Sequence, residues 1–380
     1  MKHDEARRTP VLTLAACLLT TVSACGGPAQ PDAAWSSRPF GNADQAAATG
    51  LRLVTYNAGL AHGVVALAEE RAALLPSELE QTGADILCLN EVWNDDDYQS
   101  LRGALEGSYP YAFRQLTEDS SWATLQCLPW TVWRLDSCVK SSCTANGISA
   151  EECVRGPCKP RYDDLSDGCK ICLAAHADSP LSCVLWGAKD FGFEGRNGLA
   201  LLSKLPLEDA QYQEFDAAMV KRGAITATVN GTRVVCTHLS SDLVVVPYPE
   251  GGSFSSWREE QAAQIDQITP ADGRCTVLMG DLNTGPAVAD ITAEVPASYQ
   301  ALRDRGWEEP WSAPRCTFCT ENPLAGSPSD LWLDHVMFRG CADLGSPSYH
   351  RVMERTIEIA GGSKSLSTRQ SDHYGLGVDL

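Results

Sequence analysis

Val277-Leu278-Met279-Gly280-Asp281-Leu282-Asn283 carries the pattern from which the fold of this chain follows. Three apolar residues and a glycine run straight into an acid and, two residues on, an amide. An apolar run this short, ending in turn residues, predicts a buried strand. Burying an acid is costly unless it has partners, so a carboxylate at a strand end needs a reason. The same figure recurs along the chain. Asn57 follows Leu53-Val54-Thr55-Tyr56, and Glu91 follows Ile86-Leu87-Cys88-Leu89-Asn90. His238 follows Val234-Val235-Cys236-Thr237, Asp334 follows Leu331-Trp332-Leu333, and Asp372-His373 stands near the C-terminus. Any one of these alone suits a solvated turn or a helix cap. Together they form an inventory with a use. Carboxylates and amides are hard oxygen ligands suited to Mg²⁺. Two histidines can divide acid and base duties, and an aspartate can orient one of them. Hydrolysis of a phosphate ester draws on such a set.

Working outward, further strands are expected at Leu199 to Leu202, Ala224 to Val229, Arg233 to Thr237 and Leu333 to Phe338. Residues 64–82 are rich in Ala, Leu and Glu and suit a helix, with a break or restart near Pro76. Ser256 and Glu259 take the reciprocal positions of a capping box, opening a helix to about Ile268.

The chain has 380 residues, 44% apolar and 21% charged, which is ordinary globular composition. Its formal charge of -19 disfavours a general polyanion binder, whose affinity would come from neutralising phosphates. Sixteen cysteines point to an oxidising compartment and a disulfide-bearing fold. Eight of them fall between Gln115 and Asp190. That segment has few continuous apolar runs and reads as a disulfide-stapled insertion of about 115–190. A zinc site at Cys169-Lys170-Ile171-Cys172 is the alternative. Cys316-Thr317-Phe318-Cys319 is read as a disulfide in the same way. Cys88 and Cys236 lie inside expected strands and read as plain buried thiols.

At the N-terminus, Lys2, Arg7 and Arg8 precede the apolar run Val11 to Val22, and Val22-Ser23-Ala24-Cys25 has the form of a lipobox. Residues 1–24 are therefore expected to be a lipoprotein signal peptide, with Cys25 as the lipid anchor. Residues 25–50, rich in Gly, Pro, Ala and Ser, read as a flexible tether. The protein is then expected to be an exported lipoprotein of the bacterial cell envelope, or extracellular.

The order and spelling of seven segments resemble the endonuclease/exonuclease/phosphatase family. They are Val54-Thr55-Tyr56-Asn57, Leu89-Asn90-Glu91-Val92, Gly198 to Lys204, Thr237-His238-Leu239, Gly280-Asp281-Leu282-Asn283, Leu333-Asp334-His335-Val336 and Ser371-Asp372-His373. The resemblance implies an α/β, four-layered sandwich of two packed mixed β-sheets flanked by helices, spanning 51–380. It implies Mg²⁺ as the cofactor, with Mn²⁺ or another divalent ion as an alternative. Glu91 would be the primary metal ligand with Asn57 beside it, and Asp372 an added metal-site carboxylate. Asp281 and Asn283 would hold the attacking water and a phosphoryl oxygen. His373, oriented by Asp334, would be the general base, and His238 would assist the leaving group. His335 departs from the tyrosine often found there in the family.

Within the family, Glu91-Val92-Trp93, Tyr98-Gln99, Leu101-Arg102, Tyr109-Pro110 and Met219-Val220-Lys221-Arg222-Gly223 are similar to neutral sphingomyelinases. That likeness implies a phosphodiesterase acting on a membrane lipid and releasing a phosphorylated headgroup. A secreted endonuclease acting on nucleic acid is the alternative, and a non-catalytic surface binding protein on the same fold is the second. The chain is expected to work as a monomer. Leu243-Val244-Val245-Val246-Pro247-Tyr248-Pro249, just after the His238 segment, reads either as a loop that meets lipid or as a buried strand.

Overall fold

The computed structural model describes residues 50–380 apart from 63, 122–125, 144–149, 177–179, 186–187, 342–345 and 362–363. The expected leader, the tether up to residue 49 and Cys25 lie outside the described residues. No helix among those described is long and apolar enough to cross a membrane.

Two sheets carry the domain. The first contains β1 (Arg52–Asn57), β2 (Ile86–Asn90), β3 (Tyr111–Phe113), β4 (Ala200–Ser203), β10 (Ser348–Val352) and β13 (Gly375–Asp379), in the order β10-β13-β1-β2-β4-β3. The second runs β5 (Glu208–Phe215), β6 (Arg222–Val229), β7 (Thr232–His238), β8 (Thr276–Asp281) and β9 (Asp334–Arg339) in sequence order. A separate ribbon pairs β11 (Thr356–Gly361) with β12 (Lys364–Arg369).

Side chains alternate along each strand, and the alternation builds the layers. Leu53, Ile86, Cys88 and Leu201 of the first sheet meet Ile225, Val234, Cys236, Val277, Met279 and Val336 of the second. On the outer face of the first sheet, Val54, Leu87 and Leu89 pack with Leu75 and Leu79 of α1 (Ala68–Gln81) and Leu101 and Leu105 of α2 (Asp95–Leu105). On the outer face of the second, Val235, Leu278 and Met337 pack with Ile265 and Ile268 of α7 (Trp257–Ile268) and Leu302 of α8 (Pro296–Asp304). Helix, sheet, sheet, helix is the four-layered sandwich expected from the sequence.

Four local expectations change. Helix α1 runs through Pro76 without a break. The proline removes one backbone donor, but Leu75 and Leu79 on either side are fully buried and keep the turns in place. The capping box at α7 is offset. Ser256 Oγ accepts from Glu259 N, while Glu259 returns its carboxylate to the backbone and hydroxyl of Ser255. Cys88 and Cys236 are not free thiols but a disulfide joining β2 to β7, and so the two sheets. The 243–249 segment is neither strand nor fully buried. Val244 is exposed, whereas Val246 is buried and accepts a hydrogen bond from the Trp257 indole.

Between β3 and β4 the chain makes the expected excursion. It holds α3 (Pro129–Ser142), α4 (Ala150–Arg155), α5 (Lys159–Asp163) and α6 (Asp167–Ala175). Its eight cysteines pair among themselves as Cys127–Cys169, Cys138–Cys158, Cys143–Cys153 and Cys172–Cys183. The zinc alternative falls, because Cys169 and Cys172 belong to different disulfides. Cys275–Cys341 and Cys316–Cys319 complete seven pairs.

Candidate functional site

Strand register brings the polar residues to one edge of the sandwich. Parallel pairing sets Asn57 opposite Asn90 between β1 and β2, and His238 opposite Asp281 between β7 and β8. Asp334 does not end a strand as its sequence context suggests. It begins β9, and antiparallel pairing with β8 sets it opposite Asp281. His373 likewise precedes β13, which runs antiparallel to β1.

Asn90 stitches the two sheets beneath the site. Its amide donates to Thr237 O (2.9 Å) and accepts from Asp281 N (3.0 Å). Glu91 and Asn283 then leave their strands with φ of 58° and 48°. Left-handed backbone is uncommon outside glycine and clusters at functional sites. Gly59 serves the approach from the other side. A Cβ there would lie 2.3 Å from Asp372 Oδ1, so the loop after β1 can lie against Asp372 only as glycine.

Asn57 is the hub. Its Nδ2 donates to Asp281 Oδ2 (2.9 Å) and to Glu91 Oε1 (3.2 Å), and its Oδ1 accepts from Gly59 N (3.0 Å). His373 Nδ1 donates to Asp334 Oδ2 at 2.8 Å, and its Nε2 lies 3.9 Å from Asp281 Oδ2. Asn283 Nδ2 donates to Leu239 O and lies 3.1 Å from His238 Nε2. His238 Nε2 is 3.5 Å from Asp281 Oδ2. The candidate metal-binding and catalytic residues singled out in the sequence therefore stand together at this edge.

The charges follow from the geometry. Burial, then the charge of Asp372, pushes the Glu91 carboxyl up to about 7. Burial, then Asp334, pushes Asp281 up to about 6. Burial opposes the charge on His373, but Asp334, and after it Asp281 and Asp372, outweigh burial and raise the ring to about 10. His238 moves the other way. Burial, then the cation of Arg222, then His373 hold it well below its ordinary value.

Arg222 was not singled out as a site residue. It opens β6, buried, with Nη1 2.7 Å from His238 Nδ1. A guanidinium can only donate, so Nδ1 accepts and the single proton of the neutral ring sits on Nε2; the 3.1 Å approach of Asn283 Nδ2 is then a contact between two donors and not a hydrogen bond, and Asp281 Oδ2 at 3.5 Å is the nearby acceptor. The only sequence signal was its place in the Met219–Gly223 segment. His335 stands apart from this group. Its Nε2 donates to Thr284 O and its Nδ1 meets Glu309 Oε2, both at 2.7 Å, behind the strand that carries Asp334.

Two groups of metal-ligating side chains occur among the described residues. Cys143, Cys153 and Cys158 are committed to disulfides. Asp281, Asp334 and His373 bring ligand atoms within 4.8 Å of one another, but the Asp334–His373 hydrogen bond accounts for two of them. Glu91, with Asn57 and Asp372 beside it, could hold a cation, because its carboxyl is desolvated and faces the charge of Asp372.

A cavity of about 320 Å³ opens at Trp93, two residues along the chain from Glu91. Trp93 and Phe193 line it, stacked at 4.4 Å, with Asp95, Asp96 and Glu194 around them. Arg196 also lines it and is engaged by Asp95 (2.6 Å) and Glu118 (3.4 Å).

The model of the Endonuclease/Exonuclease/phosphatase family matches residues 54–373. No curated protein matches the chain. Among solved structures, a mutant of beta toxin from Staphylococcus aureus with bound magnesium ions has a TM-score of 0.53 at 15% identity, covering 87% of this chain and 99% of that one. Sphingomyelinase C from Streptomyces griseocarneus has a TM-score of 0.51 at 18% identity, covering 87% and 98%. At such identities the likeness is one of fold.

Proposed function

The chain belongs to the endonuclease/exonuclease/phosphatase family, and from that premise we propose that it is an exported, divalent-metal-dependent phosphodiesterase releasing a phosphorylated headgroup from a choline-bearing membrane lipid. Phosphoric-ester hydrolysis is the chemistry of the family. The lipid reading rests on one observation, the cavity lined by Trp93 and Phe193. Its acids Asp96 and Glu194, and Phe193 stacked over the buried Trp93 as an aromatic wall, suit a quaternary ammonium group. The same acids would repel the next phosphate of a nucleic acid. Fourteen cysteines in seven disulfides support an oxidising compartment.

Glu91 and Asn57, with Asp372 beside them, would hold Mg²⁺ or Mn²⁺. A cation there relieves the buried carboxyl. When bound, it would supply neutralisation of the charge on the phosphoryl group. The rest falls to side chains. Asp334 holds the His373 ring by Nδ1, leaving Nε2 to take a proton from the attacking water. Neutralising Asp281 and Asp372 would remove two of the charges that keep His373 protonated. Asn283 would steady a phosphoryl oxygen. His238, neutral with its proton on Nε2, would act as a hydrogen-bond donor to the developing charge, not as an imidazolium acid.

Calorimetric binding of phosphocholine in Mg²⁺ tests the cavity. Phe193→Leu should weaken phosphocholine binding by about tenfold, the range of a desolvated cation–π contact, and leave inorganic phosphate binding unchanged. Equal losses for both ligands would contradict the assignment.

A further inference from the structure

The Cys-rich insertion turns apolar side chains outward. On α3, Val132 and Leu135 face the insertion's own core. Trp130 and Trp133, three residues apart and so on one helix face, are 59% and 68% exposed. Leu128 just before them is exposed as well. A second strip lies alongside. Cys127 N donates to Cys183 O at 3.0 Å, which sets the approach to α3 against the turn Pro180–Cys183. Leu181 and Leu185 flank the buried Cys183 and are both exposed. The chain spends four disulfides on holding this surface.

This surface is tied to the catalytic edge. Tyr162 of α5 donates its hydroxyl proton to Val245 O at 2.9 Å, and Val245 packs against the insertion's core. The neighbouring Val244 is 74% exposed. Val244 and Val245 sit on the loop that leaves β7 just after His238.

We propose that Trp130, Trp133, Leu128, Leu181, Leu185 and Val244 dock the enzyme on an uncharged or zwitterionic bilayer surface, a reading that rests on the lipid substrate proposed above. Exposed tryptophan and leucine side chains on a disulfide-held unit suit the headgroup boundary, where indole rings partition. Charge selects the kind of surface. From Cys127 to Cys183 the chain has six basic and seven acidic side chains, whereas the whole chain carries -19. The insertion therefore offers no positive field to an anionic polymer and little repulsion to a zwitterionic headgroup. Docking by this face would bring the edge that holds His238 and Glu91 to the layer that holds the substrate.

The test uses the full oxidised chain on phosphatidylcholine vesicles in EDTA, so that no turnover contributes. Brominated acyl chains should quench the tryptophan fluorescence of the parent. Trp130→Phe with Trp133→Phe should lose most of that quenching while the protein still sediments with the vesicles. Trp130→Ser with Trp133→Ser should weaken vesicle binding by about tenfold or more, the effect of withdrawing large apolar side chains from burial. It should leave hydrolysis of a water-soluble nitrophenyl phosphodiester unchanged. Quenching that is absent in the parent, or equal in the Phe variant, overturns the proposal and leaves a protein as the occupant of the patch. Quenching as expected, with no turnover of sphingomyelin or phosphatidylcholine by the parent in Mg²⁺, upholds the docking and overturns the lipid-hydrolase reading.

Discussion

Arg222 Nη1 lies 2.7 Å from His238 Nδ1, both side chains buried beneath the catalytic edge. This contact divides the two histidines. Burial and then the charge of Arg222 keep His238 neutral, while Asp334 outweighs burial and keeps His373 charged. Arg222→Met should raise the His238 pKa, read by NMR titration of its ring protons. The same variant should lower kcat/KM by about tenfold to a hundredfold. A His238 titration identical to the parent's would show that Arg222 does not set its state.

The Asp334–His373 pair should make the metal-free protein lose stability in alkali. The folded ring titrates at about 10 against an ordinary 6.5. Its contribution is therefore fully present below about 6.5 and is lost as pH rises through about 10. Asp334→Asn should cost a few kcal/mol near pH 6, by an approximate reading of that shift. The gap between variant and parent should narrow towards pH 10. Denaturant unfolding in EDTA measures it, and a gap independent of pH would refute the linkage.

Cation binding should show the opposite slope. Glu91 holds its proton up to about 7, so below that a bound cation must displace it. The rise in Tm on adding Mg²⁺ should be small near pH 5 and reach its full value near pH 8. Glu91→Gln should abolish most of it. A shift that is the same at both pH values, or intact in Glu91→Gln, would move the cation elsewhere.

Cys88–Cys236 closes a separation of 148 residues and joins the facing sheets. Replacing both by alanine should destabilise the fold by roughly 2–5 kcal/mol. The two-sheet core itself should persist, because Ile86, Val234 and Met279 still pack around the gap. An unchanged denaturant midpoint would assign the disulfide no structural weight.

The site was legible wherever a polar side chain interrupts an apolar run, as at Asn57, Glu91, His238 and Asp281. Such an interruption is visible in one dimension. Arg222 was not legible in this way, because it opens β6 and looks like one more surface cation beside Lys221. Only the antiparallel register of β6 and β7, which sets Gly223 opposite His238, reveals its target. Asp334 and His373 stand ahead of their strands and not after them: Asp334 opens β9, near the start of the strand expected at Leu333 to Phe338, and His373 precedes β13. Cys88 and Cys236 looked like core thiols because a buried thiol and a buried disulfide have the same apolar neighbours. The outward tryptophans of α3 were hidden by the cysteines around them, which dominate the composition of that segment.

The most direct test of the central claim compares hydrolysis of sphingomyelin, phosphatidylcholine and double-stranded DNA by the oxidised protein in Mg²⁺. EDTA and His373→Ala serve as controls. The account predicts phosphocholine release from the choline lipid, lost in both controls, with DNA left intact. DNA cleavage without lipid turnover would contradict it and make the acidic cavity beside Trp93 something other than a headgroup site.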